Sequence, residues 1–130
     1  MRKKHWYAFA FLGWMVFVTF SSLYSFKDSE ISNFNIPYAD KVVHFTFYFV
    51  AAVLGSLFLN EINGEGPKRI KSLKILALSL IFFGIIIEVI QEIHTVYRSG
   101  DVFDALANGL GVIVGIIAIF TQFQRLRGLK

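Results

Sequence analysis

Asp40, His44 and Tyr48 follow one another at intervals of four in the stretch DKVVHFTFYF. In a helix that spacing places them on one slowly drifting stripe. A carboxylate, an imidazole and a phenol on one stripe can hold a polar ligand or move protons. A second set follows downstream: Glu88, Gln91 and Thr95 are spaced by three and four and so share a helix face. A third set lies in RSGDVFDALANGLG, where Arg98 precedes Asp101, Asp104 and Asn108. His44 with Glu88 or Asp104 has the residue types for general acid–base work. Arg98 and Lys41 suit a phosphate or a carboxylate, which a guanidinium grips with two hydrogen bonds. His, Glu and Asp are also metal-ligand types, but no two of these three lie at a recognised ligand spacing. No metal and no cofactor is therefore expected. With no cysteine and no serine elbow in the chain, only a carboxylate remains as an evident covalent nucleophile.

The elements that must position these groups are set by the solvent. Of 130 residues, 55% are hydrophobic, 15 are Phe and only 17% are charged. That balance points to a membrane protein rather than a soluble domain. Four apolar segments approach the roughly 20 residues that a helix needs to cross the hydrocarbon core. They run over about Trp6–Tyr24, Asp40–Leu59, Leu73–His94 and Val102–Phe123. Membrane β-strands would be half as long and would alternate, which these segments do not. The first segment follows the basic MRKK, as a signal peptide would. Its apolar run is longer than a signal core and no small-x-small cleavage site follows, so it reads as the first membrane helix. The expected fold is all-α: one domain over residues 1–130, a polytopic integral membrane protein with four transmembrane helices. Asn63-Gly64 reads as a helix stop, and Pro67 as a block to continuation.

Charge then orients the bundle. Ten of the 13 basic residues precede the first helix, lie between the second and third, or follow the fourth; only Lys27, Lys41 and Arg98 fall on the other side. The positive-inside rule places both termini and the middle loop in the cytoplasm. The basic excess is thus a topology signal, and no nucleic-acid partner is expected. Trp6 suits an interfacial anchor, whereas Trp14 is too deep for that and should pack. On the external side, Asp40 lies near the interface, with His44 roughly 6 Å and Tyr48 roughly 12 Å deeper. Glu88 and Asn108 enter the same outer half from the third and fourth helices. A charged group facing lipid near the centre costs on the order of 2.5–3.5 kcal/mol. The three stripes should therefore face one another around a shared external pocket.

Structural roles compete for several of these residues. Asp101 reads first as an N-cap, and Asp104 as the acidic end of a capping box at the positive end of the helix dipole. Asn108 reads as an interhelical hydrogen bond, and Tyr48 as packing with a satisfied hydroxyl. Gly111 and Gly115 form a small-xxx-small pair that permits close helix contact. His44 and Glu88 have no capping role, and their structural alternative is a buried hydrogen bond that fixes helix register. The Phe residues at 45, 47, 49, 82 and 83 face lipid or pack.

The elements DKVVHFTFYF and EVIQEIHTVYRSGDVFDALANGLG resemble the VanZ-like family of small bacterial membrane proteins. In that family Asp-Lys-x-x-His-x-x-x-Tyr, Glu-x-x-Gln, Arg, Asp-x-x-Asp and Asn-x-x-Gly recur in this order. The matching positions are Asp40, Lys41, His44, Tyr48, Glu88, Gln91, Arg98, Asp101, Asp104, Asn108 and Gly111. The resemblance covers about two-thirds of the chain and implies a bacterial inner-membrane location. The family takes its name from a member associated with low-level resistance to teicoplanin. The first functional expectation is an outer-leaflet pocket that binds a lipid or lipopeptide headgroup, with a role in glycopeptide resistance. The second is a membrane enzyme that modifies a lipid-linked envelope substrate, with His44, Glu88 and Asp104 as catalytic candidates. The expected partner is a membrane lipid or lipid-linked envelope molecule, with homo-oligomerisation left open. A transporter or pore protomer is a third class, disfavoured because no polar path continues into the cytoplasmic halves.

Overall fold

A computed structural model describes residues 3–23, 39–94 and 102–128. They form four helices: α1 (Lys3–Leu23), α2 (Ala39–Asn63), α3 (Pro67–His94) and α4 (Val102–Gly128). All four are long and apolar enough to cross a membrane. Burial is inverted relative to a water-soluble fold. Phe9, Phe20, Leu78, Phe82 and Phe103 are exposed, while His44, Glu88, Gln91, Asp104 and Asn108 are buried. Lipid is the solvent that accepts such a surface, so the chain is a multi-pass membrane protein.

The helices run past the expected ends, chiefly at the end where α2 hands over to α3. The stretch between Leu59 and Leu73 was expected to be loop, yet only Gly64–Gly66 leave the helix. Hydropathy marks only the part of a helix inside hydrocarbon, and charged residues such as Lys68 and Lys71 continue it into the interface. Gly64 and Gly66 turn the chain at φ +62° and +107°, a region where a side chain would be strained. The Gly64 N–H donates to the Asn60 carbonyl at 3.1 Å, which closes α2 where Asn63-Gly64 marks its end. Pro67 opens α3, where its missing N–H costs nothing. At the far end of the chain α4 continues through the basic Arg125 and Arg127 to Gly128.

α2 is central and packs most closely on α4. Both start at the same end of the bundle, here called the His44 end, so they are parallel neighbours. Their separation is set by glycine. A Cβ at Gly111 would collide with the Phe45 carbonyl, and one at Gly115 would stand 2.8 Å from the Phe49 carbonyl. The small-xxx-small pair thus faces the α2 backbone, as its spacing led us to expect. α3 approaches the same region through Gly84, where a Cβ would lie 3.2 Å from Asn108 Nδ2 and 3.3 Å from Tyr48 Cε1. The core comprises Val18, Tyr48, Ala51, Ala52, Leu80 and Val112, flanked by Phe11, Trp14, Phe47 and Phe83. Trp14 packs, as expected, and its indole N–H donates to the Phe47 carbonyl at 2.8 Å, tying α1 to α2. Trp6 is exposed, as an interfacial anchor would be. Near the opposite end, Arg69 is buried with its guanidinium 5.0 Å from the Phe120 ring and 5.4 Å from the Phe123 ring.

Candidate functional site

The parallel α2–α4 pair brings two of the sequence stripes side by side in a constant register. Lys41 reaches Asp104, and His44, one turn on, reaches Asn108. α3 runs the other way and adds Glu88 from one turn beyond Gly84. The geometry centres on the His44 ring. Nδ1 lies 3.0 Å from Asn108 Oδ1 and 3.6 Å from Glu88 Oε1. Nε2 lies 3.5 Å from Asp104 Oδ2. An amide oxygen only accepts, so Nδ1 carries the hydrogen and donates to Asn108. Lys41 Nζ donates to Asp40 Oδ2 at 2.9 Å and to Asp104 Oδ1 at 3.1 Å, bridging the two carboxylates.

Exposure falls steadily along this set. The side chain of Asp40 is 49% exposed, Lys41 24%, Asp104 10%, Glu88 8% and His44 4%. The cluster thus has a rim at the helix ends and an interior one turn below. Counting the imidazole as neutral, three carboxylates against one ammonium leave two negative formal charges among the described residues. Burial multiplies the consequence of such an imbalance, because the low-dielectric interior screens little.

Three expected members behave differently. Gln91 is buried on the Glu88 face, but its amide donates to the Ser22 carbonyl in the last turn of α1, so it secures α1. Tyr48 lies in the core beside Gly84, and its hydroxyl is buried without a hydrogen-bond partner among the described residues. Asp104 lies in the first turn of α4, as a capping carboxylate would, yet its oxygens face Lys41 and His44. Arg98, Asp101 and Thr95 lie outside the described residues.

The expectation of no metal rested on spacing along the chain. In space, one donor atom each from His44, Glu88 and Asp104 lies within 4.8 Å of the others, and all three residues are buried. Sequence spacing reports ligands on one helix; these come from three. Gly84 was not singled out from the sequence, although its position four residues before Glu88 marks where α3 must come close. The two cavities described, of about 580 and 600 Å³, lie along α1 rather than at this cluster. The first is lined by α1, α2 and α3, including Phe11, Gly55, Phe58 and Leu76. The second is lined by Leu12, Met15, Val16, Thr19, Phe20 and Leu23 of α1 with Phe83.

Comparison with curated proteins and with solved structures found no match. The VanZ/LLP1 family pattern matches residues 6–123, which takes in α2, α3, most of α1 and α4, and every described member of the cluster. With the spacing of the His44, Glu88 and Asp104 elements now explained by one three-helix cluster, the chain belongs to the VanZ/LLP1 family.

Proposed function

We propose that the His44 cluster binds the headgroup of a lipid or lipopeptide at the outer leaflet of the bacterial cell membrane. The observation that carries this reading is the convergence of ionisable side chains from three helices, graded from an exposed rim to a buried interior. Intramembrane ionisable groups are costly, and their concentration at one end of a bundle is a functional signal. The orientation is supported by the opposite end, where Lys68, Arg69, Lys71, Lys74, Arg125 and Arg127 gather. Both termini would then be cytoplasmic. At the rim Lys41 engages phosphate or carboxylate; Arg98, outside the described residues, is the second cation that the sequence offers. Asp40 and Asp104 accept from sugar hydroxyls or amines. The apolar cavity beside Thr19, Phe20 and Leu23 lies in the same half of the bundle and suits the acyl chain of the same molecule. Resistance to a teicoplanin-type lipoglycopeptide would follow from sequestering the drug or from altering a surface lipid.

The test is native mass spectrometry of the detergent-purified protein mixed with an envelope lipid extract or with teicoplanin. The parent retains one of these ligands, and Lys41→Ala and Asp104→Asn weaken retention by tenfold or more. Equal retention by parent and variants would overturn the reading. A second reading is a lipid-directed enzyme, favoured by a separate observation: both ring nitrogens of His44 lie near carboxylates. Chemical turnover of an added lipid by the parent, abolished by Glu88→Gln, would establish it over simple binding.

A further inference from the structure

We propose that His44, Glu88 and Asp104 form a binding site for a divalent transition-metal ion, with zinc and manganese as the best-matched ions. This deepens the headgroup reading and rests on it, adding a metal ion to the same site. Nδ1 donates to Asn108 Oδ1 at 3.0 Å, which leaves the Nε2 lone pair aimed toward Asp104 Oδ2 at 3.5 Å. With the ring neutral these two acceptors repel, and either a second ring proton or a metal ion between them relieves it; the metal is the one that also draws in Glu88. The other Asp104 oxygen is held by Lys41 at 3.1 Å, so Oδ2 is the one presented to the ion.

The spacing of the His44–Asp104 pair matches. A tetrahedral ion with bonds of about 2.1 Å holds its donors about 3.4 Å apart. Nε2 and Oδ2 stand at 3.5 Å, and one donor atom each from His44, Asp104 and Glu88 lies within 4.8 Å of the others. Glu88 Oε1 is 3.6 Å from Nδ1 on the far edge of the ring, so Glu88 turns toward the ion to bind it. One imidazole with two carboxylates is a borderline donor set that suits zinc or manganese better than soft or purely oxygen-seeking ions. The hydrogen bond from Nδ1 to Asn108 is the outer support that metal-binding histidines usually have, fixing the ring and its tautomer. A divalent ion would also offset the two negative formal charges counted among the described residues of the cluster. Three protein ligands leave a fourth position facing the rim at Lys41 and Asp40. A phosphate or carboxylate oxygen of the headgroup would complete the coordination there.

The experiment uses the full chain in detergent, stripped with chelator, with no lipid added, so metal binding and headgroup binding can fail independently. Zinc, manganese and cobalt(II) are titrated separately, with bound ion measured by mass spectrometry and Tm by intrinsic fluorescence. The expected result is one tightly held ion per chain and a rise in Tm. Affinity should fall at least 100-fold in His44→Ala and Glu88→Gln, about tenfold in Asn108→Ala, and remain unchanged in the exposed control Thr46→Ala. Cobalt should give intense visible bands of a four-coordinate nitrogen–oxygen site in the parent, which decides the matter even where a variant fails to fold. Absence of stoichiometric uptake by the folded parent, uptake without those cobalt bands, or equal uptake by folded His44→Ala and Glu88→Gln, would overturn the proposal.

Discussion

Asn108 decides what His44 can do, because the amide oxygen fixes which ring nitrogen carries the hydrogen. Asn108→Ala removes that acceptor and leaves a buried N–H without it. The expected cost is about 1–3 kcal/mol, read as a lower Tm in detergent. Tyr48→Phe should behave in the opposite way. Its hydroxyl is buried with no hydrogen-bond partner among the described residues, so its loss should leave Tm unchanged or raise it. If the hydroxyl serves the ligand, headgroup retention should fall in the same variant; a clear drop in Tm would assign Tyr48 to the fold instead. The chemistry-bearing residues were legible in the sequence because an ionisable group inside an apolar run stands out whatever surrounds it. Their individual jobs were less legible. Gln91 shares a helix face with Glu88, yet it bonds to the Ser22 carbonyl, since the identity of a neighbouring helix is invisible to local spacing. Convergence of His44, Glu88 and Asp104 as donors was hidden for the same reason.

Among the elements, the α2–α4 pair controls the site. Gly111 and Gly115 let the α4 backbone approach Phe45 and Phe49, and that approach allows Asp104 and Asn108 to reach Lys41 and His44. Gly111→Val should separate the pair at a cost of about 1–3 kcal/mol from overpacking. Headgroup and metal binding should be lost together, although every polar residue is still present. Normal binding by Gly111→Val would show that the close approach is not what builds the site. Trp14→Phe removes only the indole bond to the Phe47 carbonyl, so a smaller loss of about 1 kcal/mol is expected, with binding intact. Helix number and order were readable from length and hydropathy. The choice of α2 and α4 as closest partners was only hinted at by the glycines. A membrane helix is apolar on nearly all sides, so periodicity does not mark its packing face as it does in water. The extra turns near Lys68 and Arg127 were missed because hydropathy ends at the hydrocarbon boundary while the helix does not.

At the scale of the whole molecule, polar chemistry gathers at the His44 end and basic residues at the other. The chain has no cysteine, so single introduced cysteines report orientation cleanly. Glu65→Cys should resist a membrane-impermeant maleimide in intact cells and react after lysis, whereas Ser99→Cys should react in intact cells. The reverse pattern would place the cluster in the cytoplasm and remove the outer-leaflet reading. The central claim is that this cluster is kept for a ligand and not for the fold. Its most direct test is the Tm of Glu88→Gln and Asp104→Asn beside the parent, in detergent with chelator. Both changes preserve shape and remove one carboxylate from a cluster that, among the described residues, has three carboxylates against one ammonium. Both should melt at or above the parent, the mark of a site held at the expense of stability. If both melt far below it, by the roughly 3–5 kcal/mol that follows from breaking a buried ion pair, the cluster is the glue of the bundle and the binding-site account is contradicted.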